Sequence, residues 1–220
     1  MMATPVALVV FDLDGTLVDS KRDLADAANT VLIECGAAPL QEETIAGMVG
    51  DGAAALVARA FAKAGIAQPP DALARFLERY GRRLTVHTRP YLGIPAALAT
   101  LKERSRLALL TNKPLEATRL VLCGLDLAQY FDERFVIGGD GPHGRKPDPA
   151  GLLALMRLAG AAPSATVLVG DSVIDWKTAR AAGTQLCVAR YGFGFDGFSL
   201  DELAPGDAVV DSPAELMTTL

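Results

Sequence analysis

Four short apolar runs form the clearest pattern along this chain. Apolar side chains occupy nearly every position of these runs, at residues 6–11, 106–111, 166–170 and 185–189. Continuous apolar runs of this length are typical of parallel strands that are covered on both faces. Weaker candidates for strands lie at residues 134–138 and 208–210. The pattern therefore predicts a buried parallel sheet.

Helical segments with recognisable ends separate these runs. Residues 114–124 and 149–160 each begin with proline and end with glycine, and residues 172–183 begin at Ser172 and end at Gly183. Proline at the first turn and glycine after the last turn are common helix boundaries, and serine is a preferred N-cap. Strands that alternate with such helices predict a doubly wound α/β sheet.

Residues 17–88 interrupt this alternation. They contain no convincing strand, and glycine- and proline-containing breaks divide them into segments with helical patterns at about residues 20–35, 42–48, 52–64 and 70–83. The simplest interpretation is an all-helical cap domain over residues 17–88, inserted into an α/β core formed by residues 1–16 and 89–220.

The amino-acid composition argues against some classes of function. Hydrophobic residues make up 50% of the chain and charged residues 21%, which is enough apolar material for a substantial core. The net charge of -5 argues against nucleic-acid or anionic-membrane binding, but not against a small anionic metabolite bound through local cations. No signal peptide or membrane-spanning run is evident, and the three cysteines fit a reduced, buried state. We expect a soluble, cytoplasmic monomer or homodimer.

Polar residues follow three of the predicted strands and precede one of the predicted helices. Because ligands bind beyond the carboxyl ends of parallel strands, we expect these side chains to surround one crevice. Each alone could be a turn or capping residue. Together they supply carboxylates, a hydroxyl, an amide and an ammonium group, from Asp12, Asp14, Thr111, Asn112, Lys146, Asp171 and Asp175.

Four carboxylates in one crevice repel one another unless a cation lies between them. Oxygen ligands of this kind suit Mg²⁺, which also contacts substrate phosphate. Asp12 and Asp14 are two positions apart and can address the same substrate. One carboxylate can attack phosphorus to form an aspartyl-phosphate, while the other donates and accepts protons.

Four motifs in the sequence resemble those of a known family. They are 12-DLDGT-16, Thr111 at the end of a strand, Lys146 before a helix, and 170-GDSVID-175. In this order they resemble the haloacid dehalogenase superfamily phosphatases. Within that superfamily the chain is similar to the bacterial phosphoglycolate phosphatases. This similarity rests on longer but less specific segments at residues 15–20, 49–57, 89–94 and 209–216.

The resemblance implies a role for each matching residue. Asp12 would be the nucleophile and a Mg²⁺ ligand, Asp14 the acid/base with its carbonyl on the metal, and Asp171 the third protein ligand. Asp175 would support Asp171 from outside the ligand set. The phosphoryl group would be held by Thr111, Asn112 and Lys146. Trp176 departs from the smaller aliphatic residue expected there and is interpreted as packing.

The cap offers weaker candidates for substrate binding. The loop Gly50-Asp51-Gly52 can approach the pocket closely because its glycines permit it. Arg59, on a predicted cap helix, is ordinarily a solvated charge but is a candidate donor for a substrate carboxylate. The run 192-GFGFDG-197 matches a dinucleotide-binding pattern, but no βα continuation follows it, so a loop flanking the crevice is favoured.

These observations predict a Mg²⁺-dependent phosphomonoester hydrolase whose favoured substrate is 2-phosphoglycolate. Alternatives within the fold are a sugar-phosphate or amino-sugar-phosphate phosphatase, a pyrophosphatase and a phosphohexose mutase. A dehalogenase would not need Asp14, and a phosphonatase would want a cap lysine with a recognisable signature. An alternative of another class is a non-catalytic module that merely holds phospho-aspartate.

Overall fold

The computed structural model describes residues 5–195 and 199–220. In chain order the strands are β1 (Leu8–Phe11), β2 (Val18–Asp19), β3 (Arg89–Pro90), β4 (Arg106–Leu110), β5 (Val136–Ile137), β6 (Thr166–Gly170), β7 (Gln185–Ala189) and β8 (Ala208–Val210). The α-helices are α1 (Lys21–Glu34), α2 (Glu42–Ala46), α3 (Ala53–Ala64), α4 (Ala72–Gly81), α5 (Ile94–Lys102), α6 (Leu115–Gly124), α7 (Ala150–Ala159), α8 (Val173–Ala182) and α9 (Leu216–Thr219).

A parallel sheet of six strands forms the core, in the order β5-β4-β1-β6-β7-β8. Strand β1 lies in the middle and pairs with β4 on one side and β6 on the other. The predicted doubly wound α/β fold is confirmed. All six strands lie at or within the six apolar runs of the sequence, which differ from them by at most two residues at an end.

Burial on both faces explains why the strands are continuously apolar. In β1 the alternating residues Val9 and Phe11 pack into one hydrophobic cluster, and Leu8 and Val10 pack into the other. All four side chains are fully buried. Neither face of this strand tolerates a polar residue without a partner, so the polar residues collect at its end.

Helices α1 to α4 lie between β2 and β3 in the sequence and form the predicted cap. The expectation that residues 17–88 contain no strand is wrong at one point. Strand β2 pairs antiparallel with β3, so a two-stranded ribbon joins the cap to the core. A strand of two residues shows no periodicity, and its pairing partner lies about seventy residues away, so local sequence patterns cannot reveal it.

Three further features add to or correct the expectations. Helix α5 was not predicted, although Gly93 followed by Pro95 is a helix-start signal that could have revealed it. Trp176 packs against the hydrophobic cluster of the core, as interpreted. Cys123 is exposed and Cys35 is half-buried, so the prediction that all three cysteines are buried is wrong.

Among the described helices none has the length and apolar character needed to cross a membrane.

Candidate active site

The carboxyl ends of β1, β4 and β6 place the predicted site residues side by side. Asp12 directly follows β1, Thr111 follows β4 and Asp171 follows β6. All three side chains are buried, and these strands are neighbours in the sheet. The motifs separated by up to 160 positions in the sequence therefore meet at one edge of the sheet, as the fold requires.

Gly15 gives the chain its sharp turn away from β1. Its φ is +85°, and a Cβ atom at this position would lie 2.0 Å from Asp171 Oδ2. A side chain is therefore excluded both by conformation and by space. The turn brings the Thr16 hydroxyl to donate to Asp171 Oδ1 at 3.1 Å.

Lys146 lies between two of the carboxylates. Its ammonium group is 2.8 Å from Asp12 Oδ1 and 2.6 Å from Asp175 Oδ1, and its side chain is almost fully buried. Burial alone would lower the pKa of Lys146, but the charges of Asp12 and Asp175 raise it above its ordinary value. The lysine therefore stays charged and can also attract the phosphoryl group of a substrate.

Asp175 is held by the first turn of α8. Ser172 and Asp175 form a capping box, and the Ser172 hydroxyl donates to Asp175 Oδ2 at 2.6 Å. The other carboxylate oxygen accepts from Lys146 Nζ. Both oxygens thus have donors within the protein, which suits a residue that positions Lys146 rather than one that reacts.

The carboxyl groups of Asp12 and Asp171 lie in surroundings that differ from those of Asp175. Burial raises the pKa of Asp12 to about 6, with Lys146 acting in the opposite direction. Burial also raises the pKa of Asp171, and the neighbouring charges of Asp12 and Asp175 raise it further. The contact with Lys146 is an ion pair without hydrogen-bond geometry, so Asp12 Oδ1 is buried with no hydrogen-bond donor among the described residues. Burial and the neighbouring carboxylates therefore favour the protonated forms of Asp12 and Asp171, and the ammonium group of Lys146 offsets this effect only in part at Asp12.

A divalent cation fits this arrangement. Ligand oxygens of Asp12, Asp171 and Asp175 lie within 4.8 Å of one another. Asp14 pairs with Lys113, Asp12 and Asp175 pair with Lys146, and Asp171 has no ammonium partner among the described residues, so one divalent cation would balance the charge of the four carboxylates and two lysines. An all-oxygen donor set and the undonated oxygen of Asp12 suit a hard cation.

Lys113 is a buried site residue that was not predicted. Its ammonium group is 2.9 Å from Asp14 Oδ2 and donates to the Tyr80 hydroxyl at 2.7 Å. Asp14 Oδ1 accepts from the Ser20 hydroxyl at 2.5 Å. The only sequence signal was a lysine directly after Asn112 at the end of a buried strand. Its partner Tyr80 lies on the cap, so the pairing was not visible in the sequence.

Asn112 also connects core and cap. Its side-chain amide donates to the carbonyl oxygens of Gly50 at 2.7 Å and Lys146 at 2.9 Å. The cap loop predicted to approach the site does so at Gly50 and Gly52, which both line the cavity. Thr111 lines the same cavity, and its hydroxyl accepts from the backbone N–H of Lys113 at 3.2 Å.

Arg59 and Asp51 lie apart from these groups. The Arg59 guanidinium pairs with Asp51 and also donates to the Met48 carbonyl oxygen at 3.1 Å. Arg59 is exposed, and neither residue is among those that line the cavity. The structure therefore does not bring Arg59 or Asp51 together with the other predicted site residues.

The cavity between cap and core has a polar floor and an apolar roof. Asp12, Asp14, Thr111, Asn112 and Lys113 form the floor. The roof consists of apolar cap side chains and the ring of one tyrosine, from Leu24, Val49, Ala53, Leu56, Phe76, Leu77, Tyr80 and Leu84. Such a pocket accepts a small ligand whose charged groups all point toward the core.

The glycine-containing loop after β7 lies against Asp171. The backbone N–H of Gly194 donates to Asp171 Oδ2 at 2.7 Å, and the Tyr191 hydroxyl donates to the Thr16 carbonyl oxygen at 2.9 Å. The interpretation as a loop beside the site agrees with these contacts. Residues 196–198, which include the end of the glycine pattern, lie outside the described residues.

A second group of titratable residues lies in and beside the cap. Oxygens of Asp23 and Asp26 and a ring nitrogen of His87 lie within 4.8 Å of one another. Arg83 pairs with both carboxylates, and Asp23 also accepts from the Thr88 hydroxyl and two backbone N–H groups. Arg83 offsets one of the two negative charges, and both carboxylate oxygens of Asp23 accept hydrogen bonds, so we interpret the group as a structural ion-pair cluster.

Comparison with known proteins agrees with this fold and site. The family model described as Haloacid dehalogenase-like hydrolase matches residues 9–189, which include all four motifs. The chain therefore belongs to the haloacid dehalogenase-like hydrolase family, and the resemblance seen in its motifs is confirmed.

Individual relatives show which members of this family the chain is similar to. The chain is 44% identical to a phosphoglycolate phosphatase of Rhodospirillum rubrum over 84% of its own length and 80% of that protein. It is 38% identical to a phosphoglycolate phosphatase of Thiobacillus denitrificans, over 98% of this chain and 96% of that protein. A crystal structure of a predicted phosphoglycolate phosphatase from Haemophilus somnus superposes with a TM-score of 0.87 at 28% identity, covering 98% of both chains.

Proposed function

We propose that this protein is a Mg²⁺-dependent phosphatase that hydrolyses 2-phosphoglycolate through a phosphorylated Asp12. The observation that carries the proposal is that the two carboxylates of one turn have different partners. Lys146 lies against Asp12, whereas Lys113 and Ser20 contact Asp14. Two carboxylates in different environments can perform different steps of one reaction.

The reaction has two displacement steps. In the first, an oxygen of Asp12 attacks phosphorus, the bond between phosphorus and the ester oxygen breaks, and Asp14 gives its proton to the leaving oxygen. In the second, Asp14 takes a proton from water, and the water oxygen attacks the same phosphorus. The bond to Asp12 breaks, which releases inorganic phosphate and restores the carboxylate. In this proposal Lys146, which is 2.8 Å from Asp12, and the hydroxyl of Thr111, which lines the cavity, hold phosphoryl oxygens.

The residues that would hold Mg²⁺ are Asp12, Asp171 and the backbone carbonyl of Asp14. When bound, the ion supplies positive charge to the phosphoryl oxygens and to the crowded carboxylates. Asp175 would not bind the ion directly, because its two oxygens accept from Lys146 and Ser172.

The cavity supports a small substrate rather than a sugar phosphate. A sugar has several hydroxyl groups, and each would lose its hydrogen bonds with water against the apolar roof formed by Leu56, Phe76 and Leu84. 2-Phosphoglycolate carries only a phosphate and a carboxylate, joined by one methylene group. The names of the relatives from Rhodospirillum rubrum and Thiobacillus denitrificans point to the same substrate.

The non-catalytic alternative explains fewer of the contacts. A module that only holds phospho-aspartate needs no acid/base group beside it, and it needs no enclosed cavity for a leaving group. Here Asp14 lines that cavity beneath the cap. We also expect the protein to act in the cytoplasm as a monomer or homodimer, without a nucleic-acid partner.

The test is phosphate release from purified protein with 2-phosphoglycolate, sugar phosphates, pyrophosphate and p-nitrophenyl phosphate, each with and without Mg²⁺. We expect the highest kcat/KM with 2-phosphoglycolate, and loss of activity when Mg²⁺ is chelated. Asp12→Asn should lower kcat by at least about 10³-fold, because amide nitrogen and oxygen do not replace a carboxylate nucleophile.

Asp71→Asn is the matched control, since Asp71 is an exposed cap residue. It should leave the kinetics unchanged. Absence of hydrolysis of every ester by folded protein would contradict an enzymatic role. A clear preference for a sugar phosphate would contradict the proposed substrate.

A further inference from the structure

Lys113 and Tyr80 define a candidate subsite for the non-reacting end of the substrate. We propose that the ammonium group of Lys113 and the hydroxyl group of Tyr80 bind the substrate's carboxylate, so that the enzyme selects carboxylate-bearing monoesters. This inference rests on the proposed function and names the residues that determine its specificity.

Lys113 is a buried cation at the boundary between core and cap. Its side chain is only 4% exposed, and it lines the cavity together with Asp14 and Tyr80. An ammonium group has three N–H donors. The described contacts use two of them, one to Asp14 Oδ2 and one to the Tyr80 hydroxyl. A third donor is left for a ligand in the cavity.

Tyr80 supplies a second donor from the cap. Its hydroxyl oxygen accepts from Lys113, and no described contact takes its own proton, which can therefore be donated to an anion. Burial raises the pKa of Tyr80 to about 12, and the phenol therefore keeps this proton at neutral pH. Its ring stacks on Phe76 at a centroid distance of 5.7 Å, which holds the hydroxyl in place.

The position of Asp14 sets where the carboxylate must lie. As the acid that protonates the leaving oxygen, Asp14 contacts the ester oxygen of the substrate. In 2-phosphoglycolate the carboxylate carbon is only two bonds from that oxygen. Lys113 Nζ is 2.9 Å from Asp14 Oδ2, so a group bound beside Asp14 lies within reach of the lysine.

The balance of charge favours an anion at this place. Among its described contacts Lys113 has a single carboxylate partner, Asp14, and its other partner is the neutral hydroxyl of Tyr80. A substrate carboxylate would give the ammonium group a second partner of opposite charge. The surrounding cavity walls are apolar, which strengthens an interaction between opposite charges.

A simpler role for Lys113 is to position Asp14 alone. The two roles differ in what happens to an ester without a carboxylate. If Lys113 only positions Asp14, its removal harms all esters equally. If it binds the carboxylate, its removal harms 2-phosphoglycolate more than a neutral ester of similar size.

The experiment therefore compares 2-phosphoglycolate with 2-hydroxyethyl phosphate, in which a hydroxymethyl group replaces the carboxylate. The quantity measured is the ratio of the two kcat/KM values, in the full-length protein with Mg²⁺. Lys113→Met keeps the length and burial of the side chain but removes its charge. We expect this variant to lower the ratio by about 10- to 100-fold, mainly through KM, as for loss of a hydrogen bond to a charged group.

Two further variants keep the inference testable if Lys113→Met folds poorly. Lys113→Arg retains the charge and should keep most of the preference for the carboxylate. Tyr80→Phe retains the buried ring and should lower the ratio by about 3- to 10-fold. Lys63→Met is the matched control, because Lys63 is an exposed cap residue, and its ratio should equal that of the wild type.

An unchanged ratio in both Lys113→Met and Tyr80→Phe would overturn the inference, and so would a wild type that prefers 2-hydroxyethyl phosphate. If the proposed function is wrong, the wild-type protein hydrolyses neither ester. The wild-type measurement therefore tests the proposed function, and the variants then test the inference about Lys113 and Tyr80.

Discussion

The two buried lysines of the site show how differently its two sides are built. Lys146 contacts Asp12 and Asp175, and all three residues belong to the core. Lys113 contacts Asp14 from the core and Tyr80 from the cap. Both lysines keep a raised pKa because neighbouring groups outweigh the effect of burial, which by itself would lower it.

In the proposed mechanism this difference assigns phosphoryl binding and substrate selection to different sides of the site. The side around Lys146 would hold the phosphoryl group, which every phosphomonoester shares. The side around Lys113 would border the leaving group, which differs between substrates, and it contains a residue of the cap, Tyr80. Changes on the first side should affect all substrates equally, whereas changes on the second side should depend on the substrate.

The largest effect is expected from Lys146→Met. The substitution removes the positive charge between Asp12 and Asp175 and leaves two buried carboxylates without it. We expect kcat/KM to fall by at least about 10³-fold with 2-phosphoglycolate and 2-hydroxyethyl phosphate alike, as for loss of an electrostatic contact to the transferred group. A loss confined to one ester would contradict the proposed division between the two sides. Circular dichroism checks that the variant is folded.

Metal binding should distinguish Asp171 from Asp14. Asp171→Asn removes a charged ligand, and we expect it to weaken Mg²⁺ binding by more than about tenfold. Asp14→Asn keeps the backbone carbonyl and should weaken binding by less than about threefold. The measurement is calorimetric titration with Mg²⁺ in the absence of substrate. Equal losses in the two variants would show that the assigned ligand roles are wrong.

The stability of the cap should depend on pH through Asp23. Burial raises the pKa of Asp23, but hydrogen bonds from the backbone of His87 and Thr88, the Thr88 hydroxyl and Arg83 lower it below the ordinary 3.8. The ionised carboxylate therefore stabilises the fold above this pH and loses its contribution as the pH falls through the lowered pKa. Asp23→Asn should lower the free energy of unfolding at pH 7 by about 1–3 kcal/mol.

Urea unfolding at pH 7 and at acid pH measures this contribution. The difference between wild type and Asp23→Asn should shrink below about pH 4, where Asp23 becomes protonated in the unfolded chain. The exposed Asp71→Asn should show no such dependence. A difference of equal size at both pH values would contradict the assignment.

We expect the smallest effect from Arg59→Met. This variant tests whether Arg59, rather than Lys113, binds the substrate carboxylate. Arg59 is exposed and paired with Asp51, and exposed ion pairs contribute little. We expect kcat/KM for 2-phosphoglycolate to change by less than about threefold. A rise in KM of tenfold or more would instead support Arg59 as the donor from the cap.

The sequence by itself determined the strands of the six-stranded sheet, the helices of both regions except α5 and α9, and the residues at the strand ends. Continuous apolar runs report burial on both faces, and Asp12, Thr111 and Asp171 follow such runs directly. The parallel arrangement then brings these ends together whatever the intervening chain does. The cap insertion was visible because residues 17–88 lack long apolar runs.

Only the tertiary structure decided which groups from different regions meet. The pairing of β2 with β3, the contact of Lys113 with Tyr80 and the hydrogen bond from Asn112 to Gly50 each join distant segments. No local periodicity encodes such contacts, because they depend on how the cap packs on the core. For the same reason the exposed Arg59 and the buried Lys113 could not be ranked from sequence, since burial decides which cation faces the cavity.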